Sequence, residues 1–246
     1  MLVVKIGGSL ESAEALIAEL VGHDGELVLV HGGGPMLSRA LQEHGFETRF
    51  EMGLRVTPPE QMEVVERVLT QLGKRLADSF SRSGRLAVGL SGRDARLLLA
   101  DPKSEKLGRV GKVSSVNTSI LLTLINRHLT PVISPIAVGK DGVYNVNADE
   151  AAAAVAGCLG EPLLYFTDVP GVLADPRDPG SLISRIGSEE AEELIEEGVI
   201  AGGMVPKVRA ALTALELGSP WVLISRGGGG ALTAALAGNR GTRVTP

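Results

Sequence analysis

Cysteine is almost missing from this chain. Cys158 is the only one among 246 residues, so no internal disulfide can form and no thiolate cluster can hold a metal. It falls in an alanine-rich helical stretch and reads as a buried packing residue. Aromatic residues are scarce, at 3 %. Single-stranded nucleic acid is usually gripped by stacking on such side chains, so that partner is disfavoured. There is no basic surplus either: 24 Lys and Arg stand against 29 Asp and Glu, a net charge of −5. A nucleic-acid partner of any kind is therefore not expected. No apolar run approaches the ~18 residues of a membrane span. No leader is expected ahead of a strand that begins at residue 2. The expected setting is the reducing cytoplasm, away from membranes.

Several catalytic signatures are also missing. No Gly-Lys-Ser/Thr follows a glycine loop, which excludes a Walker A site. No Gly-x-Gly-x-x-Gly with an acidic residue downstream follows a strand, which argues against a dinucleotide oxidoreductase. Four histidines and one cysteine offer neither a metal cluster nor an activated nucleophile. What is plentiful is glycine, 32 residues, as expected of many tight turns between strands and helices.

The first ten residues organise the rest. Leu2 to Ile6 is a short apolar run with one lysine, bounded by Gly7 and Gly8. It reads as a buried parallel strand. Ser9 is placed to cap a helix over residues 11–21. A strand, a glycine turn and a helix N-terminus together point backbone N–H groups at an anion. Ionising Lys5 inside such a strand is costly without a partner. Lys5 therefore either reaches a phosphate at the strand's carboxyl end or faces water from an edge strand. Residues 26–31 repeat the arrangement, with Gly32-Gly33-Gly34 and then Pro35 at a helix start. Parallel pairing would bring both glycine turns to one sheet edge, where ligands bind in open α/β sheets. His31 either orients the second turn or is a satisfied strand-end histidine.

Further along, residues 47–57 alternate around Gly53 and read as a hairpin or lid carrying Arg55. Arg55 suits a carboxylate, paired through two parallel bonds. Pro58-Pro59 opens a long helix over about 59–82. Strands are expected at 86–90, 96–100, 108–116, 131–134, 163–167, 221–224 and 242–244. Thr118 is placed to cap a helix running to about His128, and helices follow at 150–159, 188–197, 205–217 and 231–237. Residues 171–188 read as loop. Asp149 lies near a helix N-terminus, as a capping residue or as an anchor for cations. Lys207, just inside another helix, opposes the helix dipole and calls for an anion. The alternation implies α/β architecture: a three-layer αβα sandwich on a mainly parallel open sheet. Residues 1–246 form one domain with a soft seam near residue 170, dividing lobes 1–170 and 171–246. With no base or nucleophile, what remains is electrostatic positioning of phosphates, which phosphoryl transfer chiefly needs.

Seven segments occur in order: Lys5-Ile-Gly-Gly-Ser9, Val30-His-Gly-Gly-Gly-Pro35, Gly53-Leu-Arg-Val-Thr57, Ala87-Val-Gly-Leu-Ser-Gly92, Asn145-Val-Asn-Ala-Asp149, Leu164-Tyr-Phe-Thr-Asp-Val-Pro-Gly171 and Gly202-Gly-Met-Val-Pro-Lys207. Together they resemble the acetylglutamate-kinase branch of the amino-acid kinase family over essentially the whole chain. The resemblance implies transfer of a phosphoryl group from ATP, with Mg2+ held mainly through its phosphates, to the γ-carboxylate of N-acetyl-L-glutamate in arginine biosynthesis. It implies that Lys5 and Lys207 stabilise the transferring group and that Asp149 organises them. Backbone N–H groups of Gly7, Gly8, Gly32 and Gly33 serve phosphates and the attacking carboxylate. Arg55 and Asn145 hold the substrate's α-carboxylate. Thr167, Asp168, Gly202 and Gly203 face the nucleotide, so the first lobe serves the acyl substrate and dimerisation and the second the nucleotide. The rival readings are a kinase for carrier-linked aminoadipate and a silent amino-acid sensor on the same fold; Gly53–Thr57 and Asn145–Asp149 favour the acetylated substrate, and the two lysines with Asp149 favour an enzyme.

Three departures stand out. Gly73-Lys74 replaces the Asn-Lys usual in relatives, where a minor effect is expected. Arg226–Gly230 lacks the usual histidine-containing segment. The extra N-terminal helix of arginine-inhibited members is missing, which implies a homodimer built on the 59–82 helix, not a hexamer, and little arginine inhibition.

Overall fold

A computed structural model of the protein describes residues 1–7 and 14–246. The chain alternates strand and helix from its start: β1 (Leu2–Ile6), α1 (Glu14–Val21), β2 (Leu27–His31) and α2 (Gly34–Glu43). The hairpin β3 (Arg49–Glu51) and β4 (Leu54–Val56) follows, then α3 (Met62–Arg82) and β5 (Ala87–Ser91). Next come β6 (Leu98–Pro102), β7 (Val110–Val116), α4 (Thr118–Ile125), β8 (Thr130–Ser134), β9 (Ile136–Gly139) and β10 (Gly142–Val146). The remainder is α5 (Ala148–Leu159), β11 (Leu163–Thr167), β12 (Arg185–Gly187), α6 (Ser188–Glu196), α7 (Met204–Glu216), β13 (Val222–Arg226), α8 (Ala231–Leu236) and β14 (Thr242–Thr245).

Eight strands form one open sheet in the order β12-β14-β13-β11-β1-β2-β8-β5. Every neighbouring pair is parallel except β13 with β14. β1 lies at its centre, between β11 and β2, so Lys5 is not on an edge strand. Ile6 pairs with His31, which places the ends of β1 and β2 side by side. Side chains of a strand alternate between faces. Leu2, Val4 and Ile6 join Leu16 and Leu20 of α1, Leu76 and Phe80 of α3, and Leu232 of α8 in one apolar layer. Val3 faces the opposite layer, with α5 and α7. Lys5, two residues on, shares that face.

The alanine-rich helix α5 is buried all round from Ala151 to Gly157. Small side chains let α7 approach closely: a Cβ on Gly157 would lie 2.3 Å from Leu217 Cβ. The last turn of α5 emerges from this cover. Cys158 lies in it and is exposed, not buried as expected.

Other differences are local. The helix expected over 11–21 begins at Glu14 among the described residues, and the Ser9 cap lies outside them. Asn117, not Thr118, occupies the N-cap of α4, and the helix stops at Ile125, before His128 with its left-handed φ of 57°. The 171–188 loop ends in strand β12. The hairpin β6–β7 and the pair β9–β10 close on each other as a separate four-stranded sheet, which adds to the expected open-sheet architecture. On α3, Val65, Leu69, Leu72, Leu76 and Phe80 are all buried within the chain, while Glu63, Arg67, Gln71, Arg75 and Asp78 face outward. No large apolar side chain of α3 is exposed, so no apolar patch marks the dimer interface expected on this helix. No described helix is long and apolar enough to cross a membrane.

Candidate active site

Three elements remote in sequence deliver three charges to one point. Lys5 extends from central strand β1, Asp149 from the first turn of α5, and Lys207 from the first turn of α7. Lys5 Nζ lies 2.8 Å from Asp149 Oδ1. Lys207 Nζ donates to Asp149 Oδ2 at 2.9 Å. Lys5 and Asp149 are buried, and Lys207 is partly open. Burial opposes ionisation of Asp149, but the two ammonium groups outweigh it and hold the carboxyl below its ordinary value. The cluster carries one net positive charge, so an anion arriving beside it is attracted at low dielectric.

Asp149 is itself held from two sides. Asn147 caps α5 and accepts from the N–H groups of Asp149 and Glu150 at 2.8 and 3.2 Å. Tyr165, buried on β11, donates its hydroxyl to the Asp149 carbonyl at 2.8 Å.

A cleft of about 200 Å³ opens beside Lys5 and Asp149. Gly32, Gly33, Arg55 and Asn145 line it as well, so six of the expected residues share one wall. The N–H groups at this site differ from expectation. Gly32 N–H donates to Ile6 O at 2.9 Å and Gly7 N–H to Phe166 O at 3.0 Å. Both continue the ladders that flank β1 and are not free for an anion. Gly8 lies outside the described residues. The available donors are Gly33 and Gly34, which open α2 and have no acceptor among the described residues. Helix N-termini present such N–H groups to anions.

Arg55, on β4, is buried and not a solvent-facing hairpin arginine. Its Nη2 donates to Ser38 Oγ at 2.7 Å and to Gly34 O at 3.1 Å, and Nη1 donates to Thr48 Oγ1 at 3.2 Å. The fork is thus turned partly onto the protein, and in this geometry Nη2 has no proton left for a two-bond carboxylate pair. Phe50 stacks on the guanidinium, 4.8 Å from ring centre to Cζ. The tip of the hairpin, at Gly53, reaches Pro206, the residue before Lys207: a Cβ on Gly53 would lie 3.6 Å from its ring. Asn145 Nδ2 donates to Thr57 Oγ1 at 3.1 Å.

Thr167 ends β11, the neighbour of β1, and Asp168 follows it. Thr167 Oγ1 donates to Asp168 Oδ1 at 2.8 Å. That bond is the main reason the Asp168 carboxyl sits below its ordinary value, with Lys207 and Lys5 adding smaller pulls. Gly202 and Gly203 stand exposed in the turn before α7, with open space around them. Lys207, Thr167, Asp168, Gly202 and Gly203 lie outside the lining of the cleft, and of these Lys207 joins it through Asp149.

Four residues escaped sequence reasoning. Asn147 had a signal: an Asn before Asp and Glu in a first turn marks an N-cap. Gly34 stood in the triple glycine, but its role follows only from where α2 begins. Ser38 and Thr48 had none, because only the fold brings them to Arg55.

The chain is similar to known proteins in sequence and in fold. The chain is 53 % identical over 245 residues to an acetylglutamate kinase of Thermus thermophilus, covering 100 % of this chain and 98 % of that one. It is 47 % identical over 253 residues to an acetylglutamate kinase of Deinococcus radiodurans, covering both in full. A carbamate kinase of Giardia lamblia bound to AMP-PNP shares the fold, with a TM-score of 0.72 at 18 % identity over 99 % of this chain and 97 % of that one. Residues 1–225 match the model of the amino acid kinase family, and the chain belongs to that family.

Proposed function

We propose that this chain transfers the γ-phosphoryl group of ATP to the γ-carboxylate of N-acetyl-L-glutamate, a step of arginine biosynthesis. The observation that carries the reading is the pair of lysines on one buried carboxylate, which with Lys5 and Arg55 lines a cleft of about 200 Å³. The full-length identity to proteins named acetylglutamate kinase supports the choice of acceptor.

The acceptor carboxylate is ionised at pH 7, so no general base is needed. One of its oxygens attacks the γ-phosphorus. The bond from that phosphorus to the bridging oxygen breaks, and ADP leaves with the electron pair. Charge spreads over the oxygens in flight. Lys5 and Lys207 stabilise that charge, and Asp149 fixes their positions without neutralising both. Gly33 and Gly34 N–H groups hold the attacking carboxylate. Arg55 and Asn145 hold the α-carboxylate, with Arg55 Nη2 leaving Gly34 O or Ser38 to do so. Gly7, Gly8, Thr167, Asp168, Gly202 and Gly203 border the nucleotide, on the side of the second lobe.

The donor set is cationic, and its carboxylate is spent on lysines. No three His, Cys, Asp or Glu gather among the described residues. These residues fit a magnesium ion that is carried by ATP oxygens and water. Bound there, the ion draws charge from the phosphates. A cytoplasmic homodimer belongs to the same reading; light scattering tests the dimer.

The test is trapping of the product. Purified enzyme with MgATP and hydroxylamine should give a hydroxamate with N-acetylglutamate and at least tenfold less with glutamate or aspartate. Equal yields, or none with N-acetylglutamate, would contradict the proposal.

A further inference from the structure

His31 ends β2 just before Gly32 of the cleft lining and is buried, yet it takes no part in the chemistry above. Its Nδ1 lies 2.7 Å from Gly32 O. A carbonyl oxygen only accepts, so Nδ1 carries a proton. Burial holds the pKa of His31 at about 4, so near neutrality the ring has no second proton. Nε2 is then an acceptor. Ser134 Oγ lies 3.0 Å from it and supplies the hydroxyl proton. That hydroxyl is also 3.1 Å from Leu69 O on α3, an alternative acceptor. Space for the pair comes from Gly73: a Cβ there would lie 2.5 Å from Ser134 Oγ and 2.8 Å from His31 Nε2.

The consequence lies one peptide further on. Described peptide bonds are trans, so the carbonyl of Gly32 and the N–H of Gly33 point in opposite directions. Holding Gly32 O on the imidazole turns the Gly33 N–H away from His31. Gly32 and Gly33 both line the cleft, and Gly33 N–H has no acceptor among the described residues. We infer that His31 is a positioning residue: its Nδ1–H tautomer, with Nε2 accepting from Ser134, pins the Gly32 carbonyl and so aims the Gly33 N–H at the acceptor carboxylate. The inference rests on the proposed function for the identity of that carboxylate; the tautomer and the orientation of the amide do not depend on it.

An asparagine amide nitrogen sits near the place of Nδ1, whereas a glutamine amide sits near that of Nε2. His31→Asn should therefore keep kcat within about threefold. His31→Gln and His31→Leu should lower it at least tenfold, with KM for ATP unchanged. In wild-type protein labelled with 15N-histidine, His31 should carry its proton on Nδ1 at neutral pH. The Gly33 amide resonance should move in His31→Leu and return in His31→Asn. A wild-type kcat in the folded Gln or Leu variant, an Asn variant as impaired as Leu, or a proton on Nε2 would overturn the inference. Should the wild type fail to phosphorylate N-acetylglutamate, the proposed function falls, and the tautomer with the Gly33 resonance still decides the role of His31. The same two NMR readings decide it if the Leu variant does not fold.

Discussion

A lysine in a central strand needs a partner, and that need ran ahead of the structure. The cost of a buried ammonium marked Lys5 as unusual in the sequence, and burial beside Asp149 explains why it is tolerated. Asp149→Asn would leave two ammonium groups without a counter-charge. Removing one partner of a buried pair costs about 3–5 kcal/mol, so urea unfolding should show a loss of that order. A loss under about 1 kcal/mol would mean the lysines have other partners. The place of Arg55 in a glycine-centred hairpin was legible in the sequence. Its protein partners were not, since Gly34, Ser38 and Thr48 meet it only in the fold. Lysine cannot reproduce the planar fork. Arg55→Lys should therefore raise KM for N-acetylglutamate at least tenfold and leave KM for ATP nearly unchanged. A shift in the ATP value instead would move Arg55 to the nucleotide side.

Elements were legible where their periodicity was strong. Five buried residues ending in glycine gave β1, and helical spacing gave α3. Strand β12 has three residues and no such run, and the closed four-stranded sheet joins segments whose pairing no local pattern encodes. Gly73 illustrates the limit. In sequence it is a mid-helix glycine of minor expected effect; in the fold it makes room for His31 and Ser134. Replacing it with alanine gains about 1 kcal/mol of helix propensity. The new methyl has to displace a buried hydrogen-bonded pair, and overpacking typically costs ~1–3 kcal/mol. Gly73→Ala should be net destabilising and should lower kcat along with the His31 variants. A more stable variant with full activity would show that the pair can shift freely. At α5, Asn147→Ala removes the cap beside Asp149, and thermal unfolding should register a loss of about 1 kcal/mol.

Across the whole molecule, one sheet gathers the ends of β1, β2 and β11 at a common edge, which brings Gly7 and Gly32, far apart in the sequence, onto neighbouring strand ends. Order along the chain foretold this edge; the depth of burial around it was not legible. That burial links folding to pH. His31 has a folded value of about 4 against an ordinary 6.5. Between those values the unfolded chain binds more protons than the folded one, so stability falls as pH drops from 6.5 to 4. The loss from this residue is roughly 3 kcal/mol. Asp149, with its lowered value, keeps its contribution through that window and loses it only at lower pH. Unfolding measured from pH 4 to 7 should show a slope that flattens in His31→Asn; an unchanged slope would assign it to other groups.

Residues 5, 149 and 207 meet only because α5 and α7 cover the face of that sheet toward which Lys5 of β1 points, and Lys207 is the member open enough to be replaced without emptying the core. Steady-state kinetics of Lys207→Ala with N-acetylglutamate and MgATP therefore bears most directly on the mechanism. Loss of one donor to developing charge typically costs ~2.7–4 kcal/mol, so kcat should fall by about 10²- to 10³-fold while both KM values change little. A folded variant that turns over at the wild-type rate, or that loses only substrate affinity, would contradict the role given to the lysine pair.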